Sequence, residues 1–119
     1  MAAPNLANVS SITGSAVGVA LTTTTTTSLL ANAASSGAVV KVNGITVTNI
    51  SGSSATVTLD FHNGSTAYGL AYTLTVPVGA TVVVLDKNAY LYLAENCSIR
   101  GGASANSRLE AVITYETMS

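Results

Sequence analysis

Residues 56–62 read Thr56-Val57-Thr58-Leu59-Asp60-Phe61-His62. Apolar and polar side chains alternate without a break, and a period of two belongs to a β-strand with one buried face. Val57, Leu59 and Phe61 are expected to point into a core, and Thr58, Asp60 and His62 away from it. Downstream, His62-Asn63-Gly64-Ser65 has the chemistry of a turn, since Asn and Gly tolerate left-handed backbone. Tyr68–Val76 then alternates again, with Tyr68, Leu70, Tyr72, Leu74 and Val76 on one parity, until Pro77–Gly79 ends it. Upstream, Ser51–Ser54 reads as a turn that follows Ala38–Ile50. There Val40 and Val42 share one parity and Ile45 and Val47 the other, so a bulge at Asn43-Gly44 is needed to keep one apolar face. A two-residue Asn-Gly hairpin is the alternative, but it leaves the strand on its N-terminal side too short.

The same reading extends to the rest of the chain. Thr81–Leu85 is a continuous apolar run, as in a strand covered on both faces or lying at an interface. Asp86–Asn88 turns into the short apolar Tyr90–Leu93, and Glu95-Asn96 turns into Cys97–Arg100. Gly101–Ser107 reads as a loop of small residues, and Arg108–Glu116 as a last strand with Leu109, Ala111, Ile113 and Tyr115 inward. Threonine is β-branched, so Thr22–Thr27 is read as strand rather than as a spacer. No segment of helical length shows a 3.6 period with caps, although one turn of helix is conceivable at Leu30–Ser35. The expected fold is all-β: a single jelly-roll-like β-sandwich of seven to eight strands over residues 17–119, preceded by an extended arm at residues 1–16. Its core should contain Val57, Leu59, Phe61, Leu70, Tyr72, Leu74, Ile99, Leu109 and Ile113.

Composition narrows the function. The chain has 119 residues, the size of one domain, and only 8% are charged, against about 25% in an ordinary soluble protein. Lys41, Lys87, Arg100 and Arg108 are too few cations to neutralise a run of phosphates, so no nucleic-acid partner is expected. One His and one Cys rule out a Cys/His zinc site or a disulfide within one chain, and Cys97 is expected to be a reduced, packed thiol. No apolar run approaches the ~20 residues of a membrane-spanning helix. The first thirty residues contain no Lys or Arg, so a secretory signal is not expected either.

Little in the sequence suggests catalysis. Asp60 and His62 share a strand face, yet no nucleophile motif such as G-x-S-x-G accompanies them. Glu110 and Glu116 share a parity but would stand about 20 Å apart along a strand, too far for paired glycosidase carboxylates. Gly101-Gly102 has neither the lysine nor the following helix of a phosphate loop. Tyr90 and Tyr92 could form a sugar platform, although packing under a loop is the plainer use. The chain is not expected to be an enzyme, and no catalytic residue, metal site or cofactor is expected.

Three stretches resemble a known family. Val47-Thr-Asn-Ile-Ser-Gly-Ser-Ser-Ala-Thr-Val-Thr-Leu59, Val76-Pro-Val-Gly-Ala-Thr-Val-Val-Val-Leu85 and Tyr90-Leu-Tyr-Leu-Ala-Glu-Asn-Cys-Ser-Ile-Arg100 are similar to successive turn-and-strand elements of small β-sandwich virion structural proteins of tailed bacteriophages. In the third, Asn96 stands where Gly is usual and Cys97 where Asp is usual. The resemblance implies a virion location and a capsid decoration (cement), neck, collar or tail role. It implies partnership with the major capsid protein or other virion proteins. A carbohydrate- or receptor-binding module at a fibre tip is the alternative, which exposed aromatics along one loop edge would favour. A near-neutral chain with few charges to guard its sheet edges is also expected to form a homo-oligomer. In the arm, Leu6, Val9 and Ile12 recur every three residues and are expected to fill shallow pockets on a partner.

Overall fold

The computed structural model describes residues 6–119. Nine strands form two antiparallel sheets: β1 Ile12–Ala20, β2 Ser28–Ala31, β3 Val39–Asn49, β4 Ala55–His62, β5 Ala67–Val76, β6 Thr81–Leu85, β7 Leu91–Leu93, β8 Ser98–Ala103 and β9 Leu109–Met118. The larger sheet has the order β1-β9-β3-β6, with β7 also on β3; the smaller has the order β2-β8-β4-β5. β6 and β7 bond in succession to β3, at Ile45–Thr48 and Val40–Val42, so they act as two halves of one strand interrupted at Lys87–Ala89. On that count the chain is a long hairpin with β4–β5 at its tip. Its arms pair as β3 with β6/β7, β2 with β8 and β1 with β9, and the pairs fall alternately in the two sheets. That is the jelly-roll architecture, and it establishes the all-β sandwich.

The core lies between the sheets. Val42, Ile45, Val47, Val57, Leu59, Val76, Leu93, Ile99, Leu109, Ala111 and Ile113 are all fully buried. β4 has the inward Val57 and Leu59 that its alternation predicts. The parity change in β3 is a bulge at Asn43: Val42 faces Tyr115 and Gly44 faces Thr114, so Val42 and Ile45 both enter the core. Two asparagines are buried with them. Asn32 Nδ2 donates to the carbonyls of Ala38 and Leu93, and its Oδ1 accepts from Ser36 Oγ. Asn49 Nδ2 donates to the carbonyls of Ser53 and Val76, while its Oδ1 accepts from the Ser51 amide and hydroxyl. Each amide thus satisfies the carbonyl of a buried strand-end residue, Leu93 for Asn32 and Val76 for Asn49, and ties a loop to it.

Several expectations need correction. Thr22–Thr27 is no strand but an exposed connector between the sheets. It is tied down by its own backbone: the Thr22 carbonyl accepts from Ala103 N, the Thr24 carbonyl from Thr27 N, and the Thr27 carbonyl from Gly101 N. β-Propensity is overridden because the chain must change sheets there. Leu30–Ser35 contains the end of β2 and a turn, not helix. Gly101 and Gly102 belong to β8 rather than to a loop, for a steric reason. A Cβ on Gly101 would lie 2.5 Å from the Thr58 carbonyl oxygen, and one on Gly102 would lie 2.6 Å from that of Thr22.

The expected core also loses members on β5, where Tyr72 is 82% exposed and Leu74 40%. β5 is an edge strand with two bulges opposite β4: Leu74 faces Val57, Ala71 faces Leu59 and Gly69 faces Asp60. Each extra residue inverts the parity, so Ala71 rather than Tyr72 points inward. Phe61, expected deep in the core, is only partly buried against it.

Candidate interaction surfaces

Of the candidate catalytic side chains, all but the exposed Glu110 make structural contacts. The Asp60 carboxylate accepts from Arg100 Nε at 3.1 Å, a half-buried ion pair across β4 and β8. His62 Nδ1 accepts from the Gly64 amide and closes the turn after β4. Glu95 accepts from the Gly37 amide, and Glu116 from Asn43 Nδ2 at the β3 bulge. Cys97 is buried, with its thiol 3.8 Å from the Glu95 carbonyl oxygen. Among the described residues, no three His, Cys, Asp or Glu side chains lie together as metal ligands would.

What remains is surface, and its charge is distributed unusually. The edge strands β1, β2, β5, β6 and β7 contain no charged residue at all. The charges carried by strands sit on the inner ones: Lys41 on β3, Asp60 on β4, Arg100 on β8, and Glu110 and Glu116 on β9. Sheet proteins usually do the reverse and place charge at the edges to prevent strand addition.

The edges differ in regularity. β2 is four residues long and irregular, β5 is bulged twice, and β6 and β7 are separated by a 3-10 turn. β1 is nine residues long, and its register with β9 runs from Ile12–Met118 to Ala20–Glu110 without a shift. This bears directly on the arm. Ile12–Ala16 are strand, paired residue for residue with β9, so the sandwich takes in five residues expected to lie outside it. The chain lacked a legible period there because an exposed edge strand needs no buried parity. Ser10 and Ser11 continue the attachment by donating to the Ser119 carbonyl. Of the three arm residues, Leu6 lies in a 3-10 turn and is 42% exposed, Val9 is half-buried, and Ile12 opens β1 at 58% exposed. Residues 1–5 of the expected arm lie outside the described residues.

A second surface opens between the sheets at the opposite side. Phe61, Tyr68, Gly69 and Leu70 from the smaller sheet and Leu91 and Tyr92 from β7 line a recess of about 300 Å³. Tyr68 pairs with Phe61 across β4–β5 and is 56% exposed, although its alternation placed it in the core. The Tyr90 and Tyr92 rings meet edge to face at 5.5 Å, and Lys41 Nζ lies 4.4 Å from the Tyr90 ring centroid. These two tyrosines are exposed by 46% and 41%, so they are not simply packed under a loop. The two extra residues of β5 cancel in parity, so Tyr68 again stands opposite the inward Phe61, and both line the recess between the sheets.

The turns quoted for the resemblance have a physical reason. Asn96 has φ +68° and Gly79 φ +71°, in the left-handed region that favours Gly and Asn. Asn96 therefore meets the same backbone demand that Gly would meet at that turn. The chain matches no protein-family model, and no curated protein matches its sequence.

Proposed function

We propose that the chain is a non-enzymatic structural protein of a phage virion, a capsid decoration or cement protein that attaches to the major capsid protein. A neck, collar or tail position is the variant of the same role. The observation that carries this reading is the set of uncharged edge strands on a sandwich whose strand-borne charges all sit on its inner strands. Such edges suit a protein that works by being added to others, and their backbone groups supply affinity without demanding a particular side chain. The hydroxyl-rich, charge-poor composition and the resemblance of the turns to those of phage virion proteins support the same reading. The test is the copy number of this chain relative to the major capsid protein in purified particles. Near-parity supports shell decoration, a single ring's worth of copies supports the neck or tail, and absence from particles refutes the role.

The aromatic recess favours a second reading, a carbohydrate- or receptor-binding module. Its volume and its aromatic lining are those of a small ligand site, and tyrosine faces stack on the apolar faces of sugar rings. Titration of the protein with glycans of the host surface, followed by the NMR signals of Tyr68 and Tyr92, tests it. Saturable shifts abolished by Tyr92→Ala support this reading, and no shift at millimolar sugar removes it.

A further inference from the structure

The backbone of β1 defines a partner more closely than the general absence of charge does. Leu21 N donates to the Leu109 carbonyl at one end, and Ser11 and Ser119 exchange both of their bonds at the other. The intervening register has no shift, so the odd-numbered residues from 11 to 21 direct their N–H and C=O groups to β9. The even-numbered ones, Ile12, Gly14, Ala16, Gly18 and Ala20, direct theirs the other way. Among the described residues, no strand pairs with that side. The result is a row of unsatisfied donors and acceptors about 30 Å long, without the bulge, proline or charge that guards an edge.

We propose that this edge pairs with the β1 edge of a second copy of the chain, antiparallel about a two-fold axis through Ala16, which joins the two larger sheets into one. The proposal rests on the reading of the chain as an assembling structural protein and names the partner of its freest edge. The two-fold arrangement follows from the strand itself. With Ala16 opposite Ala16 of the second copy, Gly14 faces Gly18, Ile12 faces Ala20, and every outward-directed residue meets another outward-directed residue. Any other antiparallel register that matches these groups leaves part of the nine-residue strand unpaired. On the outer face the facing side chains are a methyl or nothing at the centre, and a Cβ built on Gly14 or Gly18 meets no atom within 4 Å, so nothing projects to hold two copies apart. On the inner face the same register sets the half-buried Val17 and Val19 of each copy beside Ser15 and Thr13 of the other, extending apolar cover that ends at the sandwich edge. The other three edges, short, bulged or interrupted, do not offer a second copy a comparable match.

The experiment uses the full chain. Sedimentation at micromolar concentration should give a species of twice 11.9 kDa. Ala16→Lys places two like charges opposite each other at the axis and should yield a monomer. The variant should stay folded and lose only the concentration-dependent stabilisation that the dimer supplies, because the Ala16 side chain stands on the exposed outer face and its backbone groups point away from β9. Under mild oxidation Ala16→Cys should form a disulfide-linked dimer, since a hydrogen-bonded pair stands ~5.5 Å apart between Cα atoms. Gly14→Cys alone should not cross-link, whereas Gly14→Cys with Gly18→Cys should. A monomeric native chain overturns the proposal, as does a dimer that survives Ala16→Lys or fails to cross-link at position 16. A native monomer that is still abundant in particles would refute the β1 pairing and leave the structural role intact, with the edge serving a strand of another virion protein. A β1 dimer absent from particles would refute the role and leave the pairing.

Discussion

Asn49→Ala tests whether buried asparagines, rather than apolar contacts alone, hold the ends of this sandwich. Asn49 is 1% exposed, at the end of β3, and its side-chain amide makes four hydrogen bonds to the Ser51–Ser53 turn and to Val76. The Ser53 carbonyl sits on an exposed residue and can turn to water, so its loss costs little. The Val76 carbonyl belongs to a fully buried residue and is left without its partner, at about 1–3 kcal/mol. Releasing the half-buried Ser51 amide adds roughly 1 kcal/mol. The sum, about 2–4 kcal/mol, is a large share of an ordinary stability of ~5–15 kcal/mol. It should lower the midpoint in urea with no change in slope. A double-mutant cycle with Ser51→Ala should give a coupling of about 1 kcal/mol, since Asn49 Oδ1 accepts from both the amide and the hydroxyl of Ser51. A loss below about 1 kcal/mol for Asn49→Ala would show that water replaces the amide, and would refute the view that Asn49 staples the turn.

Other perturbations separate backbone from side-chain causes. Gly101→Ala should destabilise by about 3 kcal/mol, because its methyl group would overlap Leu59 and the Thr58 carbonyl, whereas Gly18→Ala, with open space around it, should not destabilise; thermal unfolding compares them. Thr73→Gly should raise stability by about 1 kcal/mol, since Thr73 is held at φ +48° and relief of a strained β-branched residue exceeds the entropy cost of glycine; an unchanged or lowered melting temperature would show that the bulge needs its side chain. Phe61→Ala should cost about 1–2 kcal/mol by chemical denaturation, less than a fully buried phenylalanine, because Phe61 lines the recess. Deleting residues 2–16 should cost about 1–3 kcal/mol through the lost β1–β9 pairs, while deleting residues 2–9 should cost less; equal melting temperatures would mean that Ile12–Ala16 add nothing to the sheet.

Where alternating strands lay inside a sheet, burial was legible except near a strand end, where Phe61 is only partly buried. Val57 and Leu59 on β4, and Leu109, Ala111 and Ile113 on β9, have neighbours on both sides, so parity alone sends them into the core. The Asn43 bulge was legible too, because apolar residues on two parities of one strand cannot both be buried without it. The same rule failed on β5 at Tyr72, which looks like a core residue and is exposed. An edge strand has a partner on one side only and can absorb extra residues, so its parity is set by the pairing with β4. The recess between Tyr68 and Tyr92 was hidden for a different reason: it lies between β5 and β7, and alternation along one strand does not show which strand of the other sheet lies across from it.

By itself, the sequence determined the sandwich class, the turns and most of the inner strands, because these follow from periodicity and from local backbone demands such as the left-handed turns at Gly79 and Asn96. It also determined that charge is scarce. The tertiary structure alone decided which strands became edges, and therefore that every edge strand is one without a charge. It turned the threonine run into a connector, since a crossing between sheets overrides β-propensity, and it drew Ile12–Ala16 into a strand. Those outcomes depend on contacts between segments far apart in the chain, β1 with β9 above all, and a local pattern carries no information about which distant strand will satisfy its hydrogen bonds.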